Sequence, residues 1–278
     1  MNSLEFSLVI STIGAAAGFL GSLTGLGGGV VITPVLTLLF GVDIRYAIGA
    51  TLVSIIATSS GAASAFVKEG FSNIRLGMFL EIATTLGAIT GAFLAAKIPT
   101  SAIAVIFGLV LVYSTFLSTR PKPEVHESAS ADPLAERLKL NSSYPTPHGW
   151  QPYRVEHVKT GFGAMLGAGA LSGLLGIGSG ALKVLAMDHA MRIPFKVSTS
   201  TSNFMIGVTA AASAGVYLNR GYIDPVLAMP VMLGVSAGAL LGARHLRGAD
   251  PRVLRIVFGV VVGVLGLEMI YSGLSGKI

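Results

Sequence analysis

Gly25-Leu26-Gly27-Gly28-Gly29 and Gly176-Ile177-Gly178-Ser179-Gly180 each interrupt an apolar stretch where an unbroken membrane helix would otherwise run. Glycine is about 1 kcal/mol worse than alanine inside a helix, so three or four together predict a break. Within a bilayer, broken backbone survives only where protein or a watery cavity satisfies the freed N–H and C=O groups. Two breaks at matching places predict a binding site near the middle of a membrane protein.

The flanking sequence sets the class. Hydrophobic residues are 52% of the 278 and charged residues 12%, against roughly 25% charged in soluble domains. Ala47–Val67, Leu76–Ala96 and Ile256–Tyr271 are long apolar runs close to the about 20 residues that a span requires. The expectation is an all-α polytopic membrane protein, multi-pass in the cell (inner) membrane. The net charge of +6 sits in short loops, where Lys and Arg set orientation rather than contact nucleic acid. Cysteine is absent, which excludes disulfides and thiol chemistry. The first five residues lack a basic region, so the run after Glu5 reads as a first span and not as a cleaved signal.

A polar stretch, residues 119–156, divides the chain; it holds Pro121, Pro123, Pro133, Pro145, Pro147 and Pro152 without apolar periodicity. It reads as a loop or partly disordered linker between a first transmembrane repeat, residues 1–118, and a second, residues 157–278. The two flanks are copies. A shift of 151 places Gly25, Gly27, Gly29, Gly70, Gly87, Gly91 and Gly108 on Gly176, Gly178, Gly180, Gly221, Gly238, Gly242 and Gly259. Glycine abundance alone gives about two such matches.

Each half reads as five hydrophobic segments. The first half offers Phe6–Leu23, Val30–Phe40, Ala47–Val67, Leu76–Ala96 and Ala102–Leu117. The second offers Gly161–Leu175, Ala181–Ala190, Val197–Leu218, Val226–Leu241 and Val253–Tyr271. The second segment of each half is too short for a bilayer of about 30 Å, so it is a half-helix, a re-entrant element or a shielded short span. If it crosses, the repeats are inverted; if it re-enters, they are parallel. Arg244, Arg247, Arg252 and Arg255 mark one cytoplasmic loop. Counting back with the short segments crossing brings the linker, Arg192, Lys196, Lys68 and Arg75 to that side, and inverted repeats are expected.

The helix after each break presents unpaired N–H groups and the positive end of its dipole, which attract an anion. Gly27, Gly28, Gly29, Gly178, Ser179 and Gly180 are the candidate backbone donors. The competing reading is that these glycines serve close helix packing, the role assigned to Gly87 and Gly91. Lys183, where the first half has Ile32, is an ionisable residue in a membrane segment and adds charge to the site unless it snorkels to an interface. Thr51, Ser202 and Asn203 are the candidate neutral donors, able to hold an oxyanion and release it. Arg45 and Lys196 read as loop charges. Glu81 lies in an apolar run and is the candidate for coupling to a proton or sodium ion, or else pairs with a buried donor. Asp188 offers a weaker version of the same idea, while interfacial placement suffices for Glu268 near the chain end.

An intramembrane enzyme built on Ser179 with His189 or His245 is disfavoured, because Gly28 replaces Ser179 in the duplicate. No nucleotide loop or metal-ligand spacing is present in the sequence, and no cofactor is expected. A passive anion channel on the same site remains open, as does a structural component or receptor. The Gly-x-x-x-Gly pairs pack within or between protomers, so a homo-oligomer is also open.

Gly25-x-Gly27-Gly28-Gly29 with Pro34, then Ala47-x-Gly49-Ala50-Thr51-Leu52, resembles the signature of the TauE/SafE sulfite exporter family. The second half repeats it as Gly176-x-Gly178-Ser179-Gly180 and Ser200-Thr201-Ser202-Asn203. The resemblance covers all but the linker. It implies a transporter, often an exporter, of sulfite, organosulfonates or other sulfur-containing and organic anions.

Overall fold

Glycine and proline decide where the helices stop. The computed structural model describes residues 3–24, 29–68, 70–119, 132–146, 149–178, 180–245 and 251–278. Helix α1 (Ser3–Thr24) ends before the first cluster and α2 (Gly29–Phe40) starts on its last glycine. They lead to α3 (Ile44–Lys68), α4 (Ile74–Ala95) and α5 (Thr100–Thr119). Beyond the linker, α7 (Val158–Leu175) is ended by Gly176 at φ 65°, with Gly178 at φ 70°. That left-handed backbone costs other residues about 1–2 kcal/mol. The chain resumes as α8 (Gly180–Leu185), widens into a π turn at Ala186–Ala190, and continues as α9 (Phe195–Asn219), α10 (Pro225–His245) and α11 (Pro251–Leu274). All ten expected hydrophobic segments are helical. At 12 residues, α2 is about 18 Å long.

Polarity is arranged inside out. Met78, Ile82, Leu86 and Phe93 are exposed along α4, and Val260, Val264, Leu267 and Tyr271 along α11. The interior instead holds Thr33, Thr51, Ser54, Thr84, Ser202 and Thr209, with Glu81 and Lys183. Continuous apolar outer faces around a hydroxyl-rich interior suit hydrocarbon, not water. Among the described residues, α4 and α7 are each long and apolar enough to cross a membrane, at mean hydropathy 1.6 and 1.2, and the other apolar helices are shorter by that measure.

The helices pair across the linker: α1 on α10, α4 on α7, α3 on α9 and α5 on α11. Glycines make the approach possible. A Cβ on Gly87 or Gly91 would overlap the Leu166 or Ala170 carbonyl of α7, and one on Gly169 or Gly173 would overlap the Thr84 or Ala88 carbonyl of α4. Gly18 and Gly238 stand in the same relation to Val235 and Ala15, between α1 and α10. Helices α3 and α9 run antiparallel, with Gly49 at Tyr222, Gly207 at Ser59, and the Ser72 and Ser200 hydroxyls 2.8 Å apart. Helices α5 and α11 are also antiparallel, with Gly108 at Gly266, Gly273 at Ser101, and Thr115 donating to the Gly259 carbonyl at 3.4 Å.

The described residues of the linker include regular structure. They form α6 (Pro133–Arg137) and an antiparallel hairpin of β1 (Ser142–Thr146) and β2 (Gly149–Tyr153). Asp132 caps α6 by accepting from Leu134 N–H and, through its other oxygen, from Val158 N–H, both at 2.8 Å. Leu140, Tyr153 and Val155 are buried with Leu76, Leu80, Met187 and Val197 in a second core. With Ala135, these three linker residues make four buried apolar residues without regular spacing, which carry no periodic signal, and so the sequence reads as a tether. Asn73 joins this segment to the helices. Its carboxamide accepts from Leu76 N–H at the start of α4 and donates to the Leu140 carbonyl and the Tyr153 hydroxyl, each at 2.8 Å, while its backbone N–H donates to Thr201.

Burial pushes the Tyr153 hydroxyl up to about 12, against the opposing pull of its hydrogen bonds to Asn73 and Ser142. An unfolded tyrosine titrates near 10. The contribution of Tyr153 to docking the hairpin is therefore full below about pH 10 and lost as pH rises through about 12. Trp150, the single tryptophan, lies over Gly70. Its fluorescence is expected to change across that window, and Tyr153→Phe is expected to abolish the transition there.

Candidate functional site

The described residues of the two breaks meet at one place. A Cβ on Gly29 would lie 2.7 Å from Thr51 and 2.8 Å from Ile55. One on Gly178 would lie 3.0 Å from Ile206 and 3.5 Å from Ile55, and one on Gly180 would lie 2.8 Å from Ile206. Ile55 of α3 is thus shared by both breaks, and Ile206 of α9 closes the second. Close packing and convergence occur together here. Gly27, Gly28 and Ser179 lie outside the described residues.

Hydroxyls line the same level. Thr51 and Thr33 are fully buried and share a hydrogen bond of 2.8 Å, and the Ser202 hydroxyl donates to the Gly180 carbonyl at 3.2 Å. Asn203 is half-buried on the next position of α9.

One helical turn further along α9 lies an ion pair inside the bundle. Lys183 has no exposed surface, which removes the snorkelling alternative. Its Nζ donates to the Thr209 hydroxyl at 2.5 Å, and that hydroxyl donates to Glu81 Oε1 at 2.7 Å. Thr85 adds a bond of 3.2 Å to the same oxygen. Glu81 Oε2 stands 3.9 Å from Nζ and is buried without a hydrogen-bond partner. Lys183 and Glu81 each stand out in the sequence, but their pairing does not. One lies on α8 and the other on α4, and only the packing of both against α9 brings them together. The π turn immediately after α8 carries no sequence signal at all.

Arg45 and Lys196 do more than carry loop charge. Arg45 donates to the Ala95 and Ile98 carbonyls at 3.2 and 2.9 Å, satisfying the end of α4, and stacks over Tyr222. Lys196 stacks over Phe71. Asp188 is half-buried in the π turn and His189 is exposed there. Among the described residues, no group of three or more metal-ligating side chains is present.

An apolar-faced bundle in which broken helices meet at a hydroxyl-lined core has the build of a membrane transporter. The chain belongs to the sulfite exporter TauE/SafE family, whose sequence profile matches residues 10–269. It is 26% identical to the probable membrane transporter protein YunE of Bacillus subtilis over 279 residues, covering 96% of this chain and 98% of that one. It is 25% identical to YdhB of the same organism, likewise a probable membrane transporter, over 95% of this chain and 98% of that one. A probable membrane transporter of Xylella fastidiosa is 27% identical over 95% of each chain. No solved structure matches. The chain is a transporter and not an enzyme, so the nucleophile reading of Ser179 is discarded.

Proposed function

We propose that the protein carries small anions across the cell membrane, with sulfite and organosulfonates as the substrate class, and that it serves mainly in export. The observation behind this is the convergence of Gly29 and Gly178 on Ile55. It brings two helix starts to one buried place where Thr51 and Ser202 supply hydroxyls. The anion sits between the segments beginning at Gly29 and Gly180, held by the backbone of Gly27, Gly28, Gly29, Gly178, Ser179 and Gly180 and by Thr51, Ser202 and Asn203. Lys183 contributes long-range positive charge. The family's designation as sulfite exporters supports sulfite.

The carrier is built from inverted repeats, residues 1–118 and 157–278, joined by the segment at 119–156. The packing supports this reading residue by residue. A shift of 151 turns the Gly18–Val235 approach into Gly169–Thr84, and Gly87–Leu166 into Gly238–Ala15. It turns Arg45 over Tyr222 into Lys196 over Phe71. Equivalent helices α3 and α9 run antiparallel, as do α5 and α11, which suits inversion and not parallel repeats. Short α2 and the α8 segment then act as half-helices near the midplane.

Sulfite-loaded liposomes that contain the purified protein are expected to release sulfite faster than loaded liposomes without protein. Gly178→Ala strains a left-handed position by about 1–2 kcal/mol, a factor of about ten, and crowds Ile206, so its flux is expected to fall at least that much. No flux for sulfite or any sulfonate would overturn the proposal. A passive channel on the same site would never accumulate anion against its own gradient when a proton or sodium gradient is applied.

A further inference from the structure

The bundle is symmetric in its packing but not in its charge. Under the 151-residue shift, Lys183 corresponds to Ile32 and Glu81 to Met232, while Thr209 corresponds to Thr58. Both members of the ion pair are therefore apolar in the other half, and Ile32 is fully buried there. A membrane interior that can fill this place with Ile and Met has no packing need for two charges. The pair is expensive to bury and present once, which marks it as functional.

We propose that Glu81, Lys183 and Thr209 form a proton-binding site that couples anion transport to protons: protonation of Glu81 leaves the Lys183 ammonium unopposed, and the anion fills that charge deficit. The proposal rests on the transport function given above. The proton goes to Glu81 Oε2, the buried oxygen without a hydrogen bond, while Oε1 keeps the Thr209 and Thr85 hydroxyls. Once Glu81 is neutral, the arriving anion takes over as the counter-charge that keeps the buried Lys183 an ammonium. The pair is neutral when Glu81 is ionised and carries one positive charge when it is protonated. A monovalent anion restores neutrality, so one proton and one anion cross together and the membrane potential does no work on the cycle.

Placement supports the link. Thr209 lies three residues beyond Ile206 on α9, about 4.5 Å along the axis, and Ile206 lies against Gly178 and Gly180. The charge change thus happens within one turn of the glycine breaks. Because coupling is reciprocal, the anion raises proton affinity as the proton raises anion affinity.

Other titratable groups on the surrounding elements have partners of their own, are exposed, or lie past the end of α8. Arg75 on α4 is exposed and donates to the Lys139 carbonyl, and Lys159 at the start of α7 is exposed. On α9, Lys196 stacks over Phe71 and Tyr217 donates to the Leu174 carbonyl. Asp188 and His189 belong to the π turn, past the end of α8. Among the described residues, Lys183 comes within 4 Å of the carboxylate.

The test uses purified full-length protein in liposomes, with methanesulfonate as probe because its charge does not change near neutral pH. An inward methanesulfonate gradient is expected to acidify the lumen, read by a trapped pH dye, with one proton per anion and no response to an imposed potassium diffusion potential. Glu81→Gln is expected to cut proton movement at least tenfold and make the remaining anion flux respond to the potential. The double variant Glu81→Met with Lys183→Ile copies the residues of the other half and so keeps a fold-compatible core; it too should move no protons. Wild-type anion flux without proton movement, or proton movement retained in either variant, would overturn the coupling while leaving transport intact. Absence of methanesulfonate and sulfite flux in the wild type would overturn the transport reading, and the coupling with it.

Discussion

Gly91→Leu is expected to leave little folded protein. A Cβ at Gly91 overlaps the Ala170 carbonyl group of α7, and backbone cannot step aside as a flexible side chain would. Helices α4 and α7 must separate by more than an ångström, which also strips Gly173 from Ala88 and Gly169 from Thr84. Association in a bilayer depends on such close packing because lipid tails compete equally well for apolar surface. Overpacking costs about 1–3 kcal/mol where side chains can adjust, and the cost rises when backbone is struck. Thermal unfolding in detergent should show loss of the cooperative transition. The matched control is Gly167→Leu, whose Cβ has nothing within 4 Å and which should melt with the wild type. Equal melting of both variants would contradict the packing described for α4 and α7.

Lys183→Ile should destabilise the interior strongly, and a second substitution should repair it. Removing the ammonium leaves the Glu81 carboxylate buried with only the Thr209 and Thr85 hydroxyls, and breaking such a pair costs roughly 3–5 kcal/mol. Replacing both partners with apolar groups is often neutral or stabilising. Glu81→Met together with Lys183→Ile is therefore expected to recover most of the loss, because Met232 and Ile32 already occupy the corresponding places in the other half. A double-mutant cycle on unfolding in detergent measures this directly. Additive losses, with no recovery in the double variant, would show that the two side chains do not act as a pair.

The helix boundaries were legible because they depend on local chemistry. Gly29 starts α2, Gly176 ends α7, and Pro225 and Pro251 open α10 and α11, each by a backbone preference readable at that residue. The candidate site was legible only as separate members. Lys183 and Glu81 are conspicuous as charges in apolar runs, but their partner is chosen by packing between residues more than a hundred positions apart. The linker hairpin was not legible, since Leu140, Tyr153 and Val155 are buried by tertiary docking and Asn73 reveals its role only through partners 67 and 80 residues away. The π turn at Ala186–Ala190 likewise follows from its surroundings and not from a residue preference.

The crosswise pairing of helices also sets a schedule for biosynthesis. Helix α1 is complete at Thr24, but its partner α10 begins at Pro225. At about 5–20 residues per second, the ribosome needs roughly 10–40 s to make the intervening chain. For that interval the small-residue face of α1, including Gly14 and Gly18, waits in the bilayer without the backbone it fits. Helix α4 waits a shorter time for α7, so the newly made chain assembles from the middle outward, and its earliest helix is among the last to dock. Release of the chain before residue 245 would leave that face unmatched, and such truncated products should be the ones that membrane quality control removes.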